Sequence, residues 1–174
     1  PQVADSGSAY QVVSMLEGAV KRGTGRRINS LVWPLAGKTG TTNQSKDAWF
    51  IGFSPDLVVG VFVGFDTPAP LGRRETGSSV AAPIFKSFMS KALKGKPPTP
   101  FRIPPNVRLV RVDPRTGRPA GTGDRRVIWE AFKLGTEPSA DIAATIIEGG
   151  SDIAEPAARG NASNVRPMSA GDLY

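Results

Sequence analysis

The residue types best suited to chemistry lie in one short run of a lysine, a glycine and three threonines. Lys38, Thr39, Gly40, Thr41 and Thr42 follow directly on a short apolar segment. In an extended strand, the hydroxyls of Thr39 and Thr41 point to the same side, where both can donate to one carboxylate. Lys38 supplies a cation that attracts a carboxylate, and Gly40 lets a substrate backbone approach closely. The run therefore predicts a site for the carboxylate end of a peptide.

The backbone of this run offers a second set of groups. Pro34 lies within the strand predicted over residues 32–41, and proline cannot donate to a central ladder, so we expect an edge strand. An edge strand can accept an extended peptide as a further strand. The Thr41 N–H would then be one donor of an oxyanion hole, the group of donors that stabilises a negatively charged oxygen during reaction. An ordinary edge strand protected from aggregation by a lysine can have a similar sequence, so the tripeptide Lys38-Thr39-Gly40 alone is weak evidence for such a site.

Composition excludes several classes of chemistry. The 174-residue chain has no cysteine and no histidine. Disulfides, thiolate zinc sites, a cysteine nucleophile and a Ser-His-Asp triad are therefore excluded, and we expect no metal and no cofactor. The longest apolar stretch, residues 57–65, is too short to span a bilayer. Because the sequence begins with Pro1, we expect it to be part of a longer product.

The formal net charge of +7 comes from one part of the sequence. Residues 94–133 contain ten lysines or arginines and three acidic residues, so they account for all of it. A basic surface of this kind can bind nucleic acid, anionic lipid or an acidic cell-wall polymer. A solvated face that keeps the protein soluble is the simpler interpretation, and we expect no nucleic-acid partner.

Apolar spacing and capping residues predict two helices. The first is expected to begin at Ser8, which starts a capping-box pattern, and to end at Gly23 in the left-handed conformation. The second is expected to begin at Ser78 or Ser79 and to end at Gly95.

Between the helices, the pattern predicts three strands over residues 32–41, 47–53 and 57–65. The last two are expected to form an antiparallel hairpin, because only three residues separate them. Gly60 and Phe50 both have even numbers, and side chains alternate between the two faces of a strand. We therefore predict that they share one face, where small residues let the second helix pack closely. The predicted fold class is therefore α+β.

The composition divides the chain into three regions. Residues 1–95 contain the predicted helices and strands. Residues 96–135 are proline-rich and basic, with a possible small hairpin over 107–112 and 127–132. Residues 136–174 contain few residues to bury, and we expect a disordered tail.

In order and in local sequence, residues 8–94 resemble the C-terminal half of the transpeptidase domain of penicillin-binding proteins. The K-T-G strand, two further strands and a C-terminal helix follow one another as in that family, whose signatures are S-x-x-K, S-x-N and K-T-G. The resemblance is closest to class A, bifunctional members of Gram-negative bacteria. The segments that resemble the family are residues 9–11, 15–18, 22–26, 36–42, 47–53, 61–66, 76–77 and 81–84.

The resemblance implies an incomplete transpeptidase fold, with an antiparallel sheet, a K-T-G edge strand and flanking helices. It also implies roles for four residues. Lys38 would bind the carboxylate of a terminal D-alanine or of a β-lactam and join the proton relay, and Gly40 would line the substrate. Thr39 and Thr41 would hydrogen-bond that carboxylate, and the Thr41 N–H would help to hold the oxyanion. Lys38 and Thr41 are thus the expected catalytic residues.

The implied activity is cross-linking of peptidoglycan stem peptides that end in D-Ala-D-Ala, by serine acyl transfer. The implied location is the periplasmic face of the bacterial inner membrane, and membrane attachment would use an anchor outside this sequence. No serine is followed by lysine three residues later, and no S-x-N occurs. We therefore expect the nucleophile, and any glycosyltransferase domain, to lie upstream, and the chain alone to be inactive.

Two alternatives stay open on the sequence. A β-lactamase or D,D-carboxypeptidase relative would use the same strand and pass the acyl group to water. A non-catalytic basic module would instead bind cell-wall polymer or a partner protein.

Overall fold

The computed structural model describes residues 2–139 of the chain. They form two antiparallel sheets, one with strands in the order β1-β2-β3 and one made of β4 and β5. The helices and strands are α1 (Ser6–Lys21), β1 (Ala36–Thr41), β2 (Asp47–Phe53), β3 (Val58–Gly64), α2 (Ala82–Ala92), β4 (Val107–Val112) and β5 (Ile128–Lys133). The predicted α+β class is confirmed.

Helix α1 begins two residues earlier than predicted. Its N-cap is Asp5, whose carboxylate accepts a hydrogen bond of 2.8 Å from the Ser8 N–H. A carboxylate also suits the positive end of the helix dipole, so Asp5 caps the helix and Ser8 lies inside its first turn. The predicted left-handed end at Gly23 is wrong, because Gly23 has no positive φ. Arg22 ends the helix instead, with its N–H bonded to the carbonyl of Gly18.

The main core lies between one face of the three-stranded sheet and helix α2. The side chains of Phe50 on β2 and of Phe85 and Met89 on α2 are fully buried there. The Phe50 and Phe85 rings lie 4.7 Å apart in a tilted arrangement. Phe88, on the other side of α2, is half exposed.

The predicted face of small residues is wrong for β3. Phe50 pairs with Val61, and Ile51 pairs with Gly60. Directly paired residues of an antiparallel ladder point to the same side, so Val61 and its odd-numbered neighbours face α2. Gly60 lies on the opposite face, because the hairpin pairs even with odd numbers.

Strand β1 also begins later than predicted. It starts at Ala36, so Pro34 precedes the strand and does not interrupt its ladder. The edge position is nevertheless observed, since β2 is the only strand paired with β1 in the described part of the chain. The prediction was therefore right about the position and wrong about the reason.

Helix α1 connects the two sheets. Val20 near its C-terminus belongs to the main core, whereas Tyr10 packs in a second cluster with Val107 and Ala131. Polar contacts reinforce this second packing: the Gln11 side chain donates to the carbonyl of Ala131 at 3.0 Å.

Strand β4 has its predicted bounds, and β5 starts one residue later than predicted. The proposed boundaries at residues 95 and 135 stay a prediction. The predicted tail falls mainly on residues 140–174, which lie outside the described residues. None of the described helices is both long and apolar enough to cross a membrane.

The ion pair between Asp5 and Lys133, at 2.9 Å, gives a test of the packing of α1 against β5. The Lys133 ammonium, followed by the Ser8 N–H, lowers the pKa of Asp5 from 3.8 to about 2. Because the folded pKa is the lower one, this stabilisation is complete above about pH 4 and is lost as the pH falls towards 2. We expect Asp5→Asn, which keeps an N-cap, to lower the melting temperature near neutral pH and to leave it unchanged near pH 2.

Thermal unfolding followed by circular dichroism across this pH range measures the effect. Asp56→Asn is the matched control, because no ion pair of Asp56 occurs within residues 2–139. A melting-temperature difference for Asp5→Asn that is the same at both ends of the range would contradict the assignment.

Candidate functional site

The open side of β1 presents backbone groups of two of the predicted site residues. The Thr42 N–H donates to the carbonyl of Asp47 at 3.0 Å, so the backbone of Thr42 points towards β2. Backbone direction alternates along a strand, which means that Gly40 also points to β2. The N–H and C=O groups of Thr39 and Thr41 therefore point away from the sheet, towards the open edge. The Thr41 N–H therefore faces the open edge of β1.

The side chains of the K-T-G run lie on two faces of the sheet. Lys38 pairs with Ile51, and Thr39 pairs with Phe50, so the lysine lies on the face opposite α2. The Lys38 ammonium nevertheless turns to the edge, where it donates to the carbonyl of Thr39 at 3.0 Å. A cation and outward-pointing N–H groups thus meet along one edge.

The two threonine hydroxyls are each held by a neighbouring loop. The Thr39 hydroxyl lies 2.7 Å from that of Thr24, just after α1. The Thr41 hydroxyl accepts a hydrogen bond of 3.1 Å from the Gly77 N–H. Since Thr41 is the acceptor in this contact, its own proton is available for another partner.

The loop before α2 is a part of the site that sequence reasoning missed. Its N-cap is Thr76, not Ser78 or Ser79 as predicted, and a short π-helical turn over Gly77–Ala81 leads into α2. The Ser79 hydroxyl accepts from the Thr76 N–H at 2.8 Å and donates to the Glu75 carboxylate at 2.7 Å. This capping box directs the Gly77 N–H towards Thr41. The T-x-x-S spacing was the available signal.

Gly77 permits this approach because it has no side chain. A Cβ on Gly77 would overlap the carbonyl oxygen of Trp49 and lie 2.6 Å from that of Gly40. The backbone of the loop therefore packs directly on the β1–β2 ladder beneath the site.

The face of the sheet that carries Lys38 is open and apolar. The rings of Trp49 and Phe62 contact each other across β2 and β3 in a tilted arrangement, with centroids 4.7 Å apart, and the two residues are 41% and 53% exposed. Ile51 and Val58 extend this exposed surface. No helix among residues 2–139 covers it, in contrast to the face that packs on α2. Within the same residues, no group of three or more acidic side chains is arranged to hold a metal ion.

Comparisons with known proteins relate this chain to one family. A family model described as the penicillin binding protein transpeptidase domain matches residues 2–90. Penicillin-binding protein 1A of Rickettsia bellii is 52% identical over 132 residues, which are 76% of this chain and 16% of that protein. Penicillin-binding protein 1A of Pseudomonas aeruginosa is 50% identical over 133 residues, with the same two coverages.

A solved structure gives the same result for the fold. The crystal structure of penicillin-binding protein 1A from Haemophilus influenzae matches with a TM-score of 0.70 and 36% identity, over 79% of this chain and 22% of that one. This chain therefore spans 16% of the length of the curated relatives named above.

The contact between Gly77 and the ladder can be tested by adding one methyl group. We expect Gly77→Ala to lower the free energy of unfolding by about 1–3 kcal/mol, because the new Cβ meets backbone oxygens that cannot move aside. Gly60→Ala is the matched control, since its Cβ would have its nearest neighbour at 3.9 Å. Urea unfolding of both variants measures the difference, and equal stability of the two would contradict the close approach.

Proposed function

Because this chain belongs to the penicillin-binding protein transpeptidase domain family, we propose that it forms the carboxylate-binding side of a D,D-transpeptidase site that cross-links peptidoglycan. The observation that carries the proposal is the open edge of β1. There the Lys38 ammonium lies beside the outward carbonyl of Thr39, and the backbone groups of Thr41 face outwards along the same edge. A stem peptide that ends in D-Ala-D-Ala would add to this edge as an extended strand.

Each residue of the run has a physical role in this proposal. Lys38 attracts the terminal carboxylate of the stem peptide and takes part in proton transfer near the nucleophile. The Thr41 hydroxyl donates its free proton to the same carboxylate while it accepts from Gly77. Thr39 provides a second hydroxyl, oriented by Thr24. Gly40 leaves room for the peptide backbone.

The reaction we propose is serine acyl transfer. A serine outside this chain attacks the carbonyl between the two D-alanines, and the terminal D-alanine leaves as the acyl-enzyme forms. During the attack, the carbonyl oxygen becomes negatively charged and is stabilised by the Thr41 N–H together with the N–H of that serine. An amine of a neighbouring stem peptide then displaces the serine and completes the cross-link.

The rest of the proposal concerns the longer protein. We propose that a β-lactam enters the same site, because its carboxylate and strained amide resemble the end of the stem peptide. The same protein is proposed to carry a glycosyltransferase domain and a membrane anchor, which place the site on the periplasmic face of the inner membrane. Its substrate is then nascent peptidoglycan.

The missing serine gives a first test on the chain alone. No serine in the sequence has a lysine three positions later. We expect a fluorescent penicillin to leave the isolated chain unlabelled after denaturing electrophoresis. A stable covalent adduct would contradict the assignment of the nucleophile to another segment.

The role of Lys38 is tested in a longer protein that contains this chain together with an S-x-x-K serine. We expect Lys38→Ala to slow acylation by fluorescent penicillin about a hundredfold, because an oriented charge at the reacting group is lost. Lys91→Ala is the matched control, since Lys91 lies exposed on α2 away from the β1 edge. Acylation of the Lys38 variant at the control rate would contradict the proposal.

A further inference from the structure

A second open strand edge lies beside β4, in the small sheet that the proposed reaction does not use. A groove of about 570 Å³ runs along residues 108–111 of β4. Pro119 and Ala120 close one end, Glu137 lies on its wall, and the indole of Trp129 contributes an exposed apolar surface.

The backbone of β4 is available in this groove. The carbonyl of Arg111 accepts from the Ala120 N–H at 2.9 Å, on the side away from β5. By alternation, the N–H and C=O of Leu109 point to that same side. Within residues 2–139, neither group has a backbone hydrogen-bond partner. The segment before Gly121 therefore covers only one end of β4 and leaves the edge open at Leu109.

The groove is bordered by positive charge. The Arg111 guanidinium has no side-chain hydrogen bond or ion pair within the described part of the chain. Arg108 lies 3.6 Å from the carboxylate of Glu137, and its side chain stays 66% exposed. The contact with Glu137 is an example of a carboxylate held at this edge.

The loop between β4 and β5 adds net positive charge, since residues 113–127 contain four arginines and two aspartates. The two carboxylates bind the backbone of the loop itself: Asp113 accepts the N–H groups of Arg115 and Thr116, and Asp124 accepts that of Gly121. Arg118 and Arg125 are exposed in the same loop. The surroundings of the groove therefore favour an anionic ligand.

We propose that the β4 edge binds an extended acidic peptide segment of a partner protein as an additional strand. Leu109 supplies both a donor and an acceptor to the backbone of the peptide, which the phosphate backbone of a nucleic acid cannot match, because phosphate oxygens are acceptors only. Arg108 and Arg111 lie on opposite faces of β4 and pair with carboxylates three residues apart in the peptide, and Trp129 contacts an apolar side chain on the face that it shares with Arg111. This site is independent of the serine chemistry proposed above.

Fluorescence anisotropy with a labelled hexapeptide, Thr-Glu-Val-Thr-Glu-Val, tests the proposal on the chain as it stands. Two matched peptides distinguish the contribution of backbone hydrogen bonds from that of charge. One is N-methylated at alternate residues, and the other has lysine in place of glutamate. We expect each to bind at least about tenfold more weakly, because the first loses backbone N–H donors and the second loses the carboxylates that pair with arginine. Equal binding of the N-methylated peptide would overturn strand addition.

Variants of the chain supply the second half of the test. We expect Arg111→Ala to weaken binding of the hexapeptide about tenfold. The control is Arg27→Ala, at an exposed arginine outside both the groove and the β4–β5 loop, which is expected to leave the affinity unchanged. Equal effects of the two variants, or competition by a six-nucleotide single-stranded DNA as strong as that of the unlabelled peptide, would show a non-specific cationic surface and overturn the proposal. Because binding of the peptide does not require acylation, failure of this proposal would leave the proposed transpeptidase role unaffected.

Discussion

Strand β1 pairs with a neighbour, β2, on one side and is open on the other. This pairing determines what each residue of the K-T-G run presents to the open edge. The hydrogen bond from the Thr42 N–H to the Asp47 carbonyl shows the alternation, in which the backbone of Gly40 points inwards and those of Thr39 and Thr41 point outwards. The same pairing places Lys38 on the face opposite the threonine hydroxyls. The proposed peptide binding, carboxylate recognition and oxyanion stabilisation all depend on this single register, because a shift by one residue would exchange every group.

The parts around β1 make the register rigid. On one side, Phe50 and Phe85 join the sheet to α2 in a fully buried core. The turn that begins α2 then returns to the strand, where Gly77 contacts the ladder and donates to Thr41. Core packing and site geometry are thus coupled through one short loop. The opposite face, with Trp49 and Phe62, stays open within residues 2–139.

Short-range patterns were sufficient for much of the fold. The bounds of β2 and β4 follow from alternation and flanking turn residues, and the edge position of β1 was anticipated. Errors arose where two local signals competed. Asp5 and Ser8 can both cap α1, and the carboxylate forms the cap because it also pairs with Lys133. The predicted face of Gly60 was wrong, because the hairpin pairs even-numbered residues of β2 with odd-numbered residues of β3. Residues with even numbers in the two strands therefore lie on opposite faces.

The sequence by itself determined the residue types of the proposed site: a lysine, a glycine and hydroxyls at strand spacing, and no serine with a lysine three positions later. It also determined the family, through motifs that are local in the chain. Only the tertiary structure decided which groups of the run face the open edge and what holds Thr41. Thr41 and Gly77 are in contact although they lie 36 positions apart in the sequence. The need for a residue without a side chain at position 77 follows only from the close approach of the two backbones.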